Sequence, residues 1–226
     1  VVFSMEPFSW WNDKQKRLME DAKAFADENL PRGEEISWTK KFPSEMLKGV
    51  ARKGWFGAVI PGQYGGINAG VTGVAIIAEE LSRIGSALAE AYSVSMFGGV
   101  EQLLGFGNEE QKKKYLPDVA SGKKLAAFGL TEAGAGSDAG GIRTTAKRDG
   151  DSYILNGTKQ WITNGGEAET YSVIAMTDRS KGPRGASALI VEKGAPGFTF
   201  GKKEKKMGIR ASATRELVFQ DCFVPK

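Results

Sequence analysis

The chain has 226 residues, a formal net charge of +4, 41% apolar residues and 26% charged residues. That is enough for one large domain or two small ones, with the balance of an ordinary soluble globular protein. One cysteine, Cys222, and no histidine exclude an intrachain disulfide framework, a Ser-His-Asp triad and nearly all zinc sites, so acid–base work falls to carboxylate, Lys or Tyr.

No apolar run approaches the length of a membrane span. The opening "VVFSMEPFSWW" lacks the charged and long apolar regions of a signal peptide. A soluble, intracellular protein is expected, cytoplasmic in a bacterium or in a mitochondrial matrix. The densest basic stretch, Lys202-Lys203-Glu204-Lys205-Lys206, reads as a solvated loop or strand end, with a phosphate contact as the alternative. It is not a nucleic-acid arm.

Up to about residue 122 the pattern is helical. Residues 12–29 carry Leu18, Ala22, Phe25 and Ala26 at helical spacing, and Pro31 ends the run. In "FPSEMLKGVARKGWFG", Ser44 is an expected N-cap, Met46, Leu47 and Val50 share a face, and Gly54 is a stop. "PGQYGGINAG" is a turn-rich loop, and "VTGVAIIAEELSRIG" a further helix. "SALAEAYSVSMFGGVEQLLGFG" continues as helix with unusually small residues. In "NEEQKKKYLPDVASG", Asn108 caps a helix whose first turn is acidic, as the helix dipole favours.

Beyond residue 122 the pattern turns to strands. "KLAAFGL" is a short apolar run. "IRTTAKRDGDSYILNGTKQWIT" contains Asp149-Gly150 and Asn156-Gly157, both strong hairpin-turn dipeptides. "TYSVIAMT", "ASALIVEK", "GFTFGKK" and "TRELVFQ" are further strands. The fold expected is α+β: an all-helical domain over 1–122, then an antiparallel β-barrel or sandwich over 123–226.

"LTEAGAGSDAGG" packs four glycines and three alanines around Thr131-Glu132, Ser137 and Asp138. Gly134 to Ala139 fits the G-x-G-x-x-G/A dinucleotide fingerprint, which requires a strand before it and a helix after it. A strand precedes it here, but hairpin-forming residues follow, so no Rossmann unit is expected. The loop can still hold an anion through backbone N–H groups and the Ser137 hydroxyl, or can serve only as a tight connection. Strict alternation along "NGTKQWITNGG" places Lys159, Trp161 and Thr163 on one face and Gln160 and Ile162 on the other. A Trp beside a hydroxyl suits a planar, hydrogen-bonding ring, or else simply covers an interface.

"AFGLTEAGAGSDAGGIRTTA", "YILNGTKQWITNGG" and "MGIRASATRELVFQDCFVP" together closely resemble the acyl-CoA dehydrogenase family. The resemblance runs from about residue 12 to the end of the chain. It implies a helical N-terminal domain and a middle β-domain, followed in the family by a C-terminal four-helix domain. It further implies FAD as cofactor and an acyl-CoA thioester as substrate, oxidised to 2,3-enoyl-CoA. A carboxylate takes the α-proton and flavin N5 takes the β-hydrogen as hydride, with electrons passing to an electron-transfer flavoprotein.

Residue by residue, the resemblance implies that Phe128, Leu130 and Thr131 border the pyrimidine edge of the flavin. Gly136 and Ser137 meet the FAD pyrophosphate, and Ser137 also lies near the CoA chain. Trp161 packs on the flavin, with Ile162 and Thr163 donating toward N5 and O4. Glu132 and Asp138 are expected to fix the loop, and Arg210 to pair with a carboxylate such as Glu216 or with phosphate. No catalytic base is named, because the family carries it in the C-terminal domain. The chain is expected to be a fragment, or a subunit completed by another chain, of what is a homotetramer when complete. A related flavin oxidase or monooxygenase, and a non-catalytic FAD- or CoA-binding subunit, are the alternatives. The small residues from Ala87 to Gly99 fit either a bulky acyl group or close helix packing.

Overall fold

The computed structural model describes residues 11–225. The first ten residues, most of the opening read for a leader, lie outside the described residues. Helix α1, Asp13–Asn29, opens with a capping box between Asn12 and Gln15 and buries Leu18, Ala22, Phe25 and Ala26. Pro31 sits in a 3₁₀ turn, Leu30–Arg32, and the chain then resumes as α2, Gly33–Thr39, a helix with no sequence expectation behind it. In α3, Ser44–Arg52, Pro43 occupies the cap position and no side chain caps the helix. Ser44 is therefore the first helical residue and not the N-cap. Proline disfavours helical backbone in the residue before it, so the helix cannot begin before Pro43. Gly54, at φ 73°, ends this stretch as expected.

Helix α4 spans Gly70–Ile84 and α5 spans Ser86–Ser93. The chain continues without a break through a π-helical segment, Val94–Val100, into α6, Glu101–Phe106. Helix α7, Glu109–Ala120, carries the expected Asn108 cap, completed into a capping box by Gln111.

The strands are β1 Ala126–Gly129, β2 Thr145–Asp149, β3 Ser152–Thr163, β4 Thr170–Met176, β5 Ala186–Glu192, β6 Phe198–Phe200 and β7 Thr214–Pro225. They form one curled seven-stranded sheet in the order β1-β4-β2-β3-β7-β6, with β5 beside β4. Most pairings are antiparallel, as expected, but β1 runs parallel to β4 and β2 touches β4 in parallel at Thr145 and Met176. The sheet is mixed because β1 and β2 point the same way. The glycine-rich loop between them is the crossover, in place of the helix a Rossmann unit would use.

Two of the expected turns have different fates. Asp149-Gly150 does turn the β2–β3 hairpin, with Asp149 opposite Ser152 and Gly150 at φ 56°. Asn156-Gly157 does not turn; it lies inside β3 at a bulge against β7. Asp221, at φ 47°, is the extra residue on β7, and its N–H donates to Asn156 Oδ1 at 2.9 Å. Asn156 Nδ2 returns a bond to the Asp221 carboxylate at 3.0 Å, so side chains supply what the ladder loses.

One apolar core fills the helical part, around Phe25, Trp55, Phe56, Leu81 and Tyr92. A second lies within the sheet, around Leu155, Tyr171, Phe198, Leu217 and Phe219. Helix and sheet meet where the π-helical segment crosses β1. A Cβ added to Gly99 would lie 2.1 Å from Ala126 Cβ, and one on Gly98 would lie 2.8 Å from Phe128 Cβ. Ser172 Oγ donates to the Gly99 carbonyl at 3.0 Å. Close packing thus accounts for Gly98 and Gly99, and these two leave no spare volume for an acyl chain.

Candidate functional site

Strand β1 ends at Gly129 and delivers Leu130 and Thr131 to the sheet's rim beside β3. Gln160 N–H donates to the Thr131 carbonyl at 2.8 Å, joining the loop to the strand that carries Trp161. Lys159 Nζ donates to the Leu130 carbonyl at 2.9 Å and to Glu132 Oε1 at 2.7 Å. Glu132 also accepts the Arg143 N–H at 2.6 Å and the Thr144 N–H at 2.9 Å. Glu132 and Ala135 close a small turn by exchanging both backbone bonds at 3.1 Å. Glu132 is therefore a structural carboxylate, as expected.

Burial pushes the Glu132 carboxyl upward, but the bonds from Lys159, Thr144 and Arg143 outweigh it and leave the carboxyl below its ordinary value. A depressed folded-state value stabilises the fold above the ordinary carboxylate range, and that contribution is lost as pH falls through the folded-state value. Stability should therefore decline on acidification, with a shallower slope in Glu132→Gln; urea unfolding between pH 7 and pH 3 checks this. Equal slopes would mean that Glu132 carries no such linkage.

Strict alternation fails in β3. Lys159 pairs with Leu217 and Ile162 with Arg215, so Gln160 and Trp161 together face the single residue Glu216. This second bulge places Lys159 and Ile162 both in the interior, at 0% and 3% exposure, while Trp161 stands 59% exposed at φ 60°. Trp161 does not share a face with Lys159, because the extra residue resets the alternation. A left-handed backbone at a bulky residue is sterically costly and marks a functional candidate.

The other expected residues divide. Phe128 is half-buried beneath Gly98. The hydroxyl and N–H of Thr131 have no protein partner among the described residues. Gly136 and Ser137 are exposed on the outer part of the loop, and Gly134 and Gly136 face open space. The Thr163 hydroxyl is already committed, donating to Glu90 Oε1 at 3.1 Å. Arg210 does not pair with Glu216. Its guanidinium lies over the Trp38 ring at 5.8 Å, while Glu216 takes a bond from Gln160 Nε2 at 3.1 Å. In the basic stretch, Lys203 and Lys206 bond to the Lys40 and Ser212 carbonyls at 2.9 and 2.7 Å, so those two are structural.

Sequence reasoning missed Lys159, Glu90 and Asn164. Buried Asn164 donates from Nδ2 to Ala91 O at 2.9 Å and to Ser95 Oγ and Ala126 O, each at 3.3 Å. Cys222 is buried and its thiol is pushed up to about 11 by that burial, which removes it as a nucleophile. One cleft of about 340 Å³ lies between α6–α7 and β4–β5, and another of about 280 Å³ lies beside Trp38 and Met207. Neither of these two clefts is lined by Thr131 or Trp161. Among the described residues no cluster of possible metal ligands occurs, and no helix is long and apolar enough to cross a membrane.

Comparison with known proteins decides what this arrangement belongs to. Residues 12–123 match the family model "Acyl-CoA dehydrogenase, N-terminal domain", and residues 127–222 match "Acyl-CoA dehydrogenase, middle domain". The chain belongs to the acyl-CoA dehydrogenase family. An acyl-CoA dehydrogenase of Bacillus subtilis is 46% identical over 199 residues, covering 88% of this chain and 52% of the relative. A solved structure from work on the electron transferring flavoprotein of Acidaminococcus fermentans and flavin-based electron bifurcation superposes with a TM-score of 0.92 at 43% identity. That match covers 96% of this chain and 57% of the other. An acyl-CoA dehydrogenase complexed with FAD from Bacillus anthracis superposes at 0.86 with 41% identity, over 96% of this chain and 37% of that one. The chain thus spans about half the length of the relatives it matches.

Proposed function

We propose that this chain forms the helical domain, 1–122, and the β-domain, 123–226, of an FAD-dependent enzyme. That enzyme desaturates an acyl-CoA thioester between its α and β carbons and passes the electrons to an electron-transfer flavoprotein. The observation that carries this reading is the Gln160–Thr131 hydrogen bond. It sets the uncommitted donors of Thr131 beside an exposed, left-handed Trp161.

The residues fit the cofactor in chemical type. The Thr131 N–H and hydroxyl would hold the carbonyl-rich edge of the flavin, with Leu130 and Phe128 next to them. Trp161 would lie against the ring, and the exposed Gly136 and Ser137 would take the pyrophosphate through N–H and hydroxyl donors. Ser137 would also meet the CoA chain. With its side chain committed to Glu90, Thr163 would reach the cofactor through its backbone, beside Ile162. Bound FAD supplies the hydride acceptor for the β-hydrogen. Glu132, filled by three donors, is unsuited to remove the α-proton. We place that base in the part of the longer protein that this chain does not span.

The test is the visible spectrum of the full-length gene product, followed by FAD titration of its apoprotein. A flavin spectrum, with tryptophan fluorescence quenched by FAD and the quench reduced in Trp161→Phe, is the expected result. A full-length protein that neither carries nor binds FAD would overturn the reading. Turnover of acyl-CoA with an electron-transfer flavoprotein, and not with oxygen, distinguishes the dehydrogenase from an oxidase.

A further inference from the structure

Lys159 is a cation with 0% exposure, 2.7 Å from a carboxylate that is 9% exposed. Burial alone drags the ammonium below its ordinary value, and Glu132 only partly offsets this. An apolar pair of similar shape would often serve stability as well or better. The position of this pair indicates a different use. In one planar peptide unit the carbonyl and the following N–H point in opposite directions. Lys159 Nζ holds the Leu130 carbonyl at 2.9 Å, so it aims the Thr131 N–H the other way. The next two carbonyls are held as well, Thr131 O by Gln160 N–H at 2.8 Å and Glu132 O by Ala135 N–H at 3.1 Å. Every acceptor of this short stretch thus faces protein, and the Thr131 donors are left over.

We infer that Lys159, held by Glu132, is a positioning residue that fixes the Leu130–Thr131 peptide so that its N–H donor faces the cofactor. The inference rests on the FAD reading above. It requires no contact between Lys159 and the cofactor: the ammonium acts through the Leu130 carbonyl, and its charge is neutralised by Glu132. Lys159 faces inward opposite buried Leu217, by the same alternation that buries Leu155, and the bulge that follows it turns Trp161 outward two residues later.

The test uses the full-length protein with two variants, Lys159→Met and Lys159→Met/Glu132→Gln. The single change strands a buried carboxylate, whereas the double change leaves no uncompensated charge. FAD affinity, the visible spectrum and reduction potential of the bound flavin, and the apoprotein's thermal midpoint are measured together. With the Leu130 carbonyl released, FAD affinity should fall at least about tenfold. The bound flavin's spectrum and potential should shift. The double variant, in which one N–H of Arg143 or Thr144 faces the Gln amide, should melt below the wild type but above the single variant. If the single variant folds poorly, the double variant decides. A double variant with wild-type affinity, spectrum and potential would overturn the positioning role and leave the FAD reading intact. A wild-type protein with no affinity for FAD would overturn both.

Discussion

Asn164→Gly should destabilise the protein by about 3 kcal/mol, and Asn164→Ala by about 1 kcal/mol more. Asn164 is buried, and its amide reaches the carbonyls of Ala91 on α5 and Ala126 on β1 and the hydroxyl of Ser95. Removing the side chain leaves the Ala91 and Ala126 carbonyls to share the single Ser95 hydroxyl proton at the junction of helix and sheet. Its backbone lies at φ 62°, a conformation glycine adopts freely and alanine does not. The order of the two variants therefore separates lost hydrogen bonds from backbone strain. Urea unfolding measures both, and a loss below about 1 kcal/mol in Asn164→Gly would show that the amide is not holding the junction. FAD affinity should fall as well, because Asn164 follows directly on Trp161–Thr163 and fixes where β3 ends.

Gly99→Val should cost about 3 kcal/mol or more. The added Cβ would meet Ala126 Cβ at 2.1 Å and the Ala126 carbonyl carbon at 2.9 Å, and backbone cannot step aside as a flexible side-chain tip can. Either the π-helical segment lifts off β1 or β1 itself moves. In the second case Leu130 and Thr131 move with it. Gly105→Ala is the internal control. Nothing lies within 4 Å of its new methyl, and in an exposed helix that exchange should be neutral or stabilising by up to about 1 kcal/mol. Equal stability losses in the two variants would show that crowding at Ala126 is not the cause.

Much of the fold is local in origin and was legible for that reason. The Asn108 cap, the buried stripe of α1 and the Asp149-Gly150 turn each depend on residues within a few positions of one another. The loop that carries Thr131 was legible from its glycines. What escaped was everything set by a distant strand. Whether Asn156-Gly157 turns or bulges depends on Asp221, 65 positions later. Whether Trp161 or Ile162 faces inward depends on a register shift against β7, which periodicity within β3 alone cannot reveal. Arg210 found the face of Trp38 in place of a carboxylate, a contact between a loop and a helix far apart in sequence. Lys159 was the costliest omission: a lysine in a strand reads as a solvent-facing residue until its partner across the fold is known.

The π-helical stretch between α5 and α6 can be seen as a phase adjustment in an otherwise continuous rod. A helix advances about 100° per residue, so one residue more or fewer rotates everything downstream by roughly that angle. Ala91 before the stretch and Ser95 at its start must face Asn164; after it, Leu103 must face the helical core while Phe106 stays outside. The wider turns of Val94–Val100 let both faces keep their partners and bring Gly98 and Gly99 down onto β1. Shortening this stretch by a residue would yield a more regular helix with its last turns aimed in the wrong direction. The irregular segment is thus an angular coupling, and its length matters more than most of the side chains it carries.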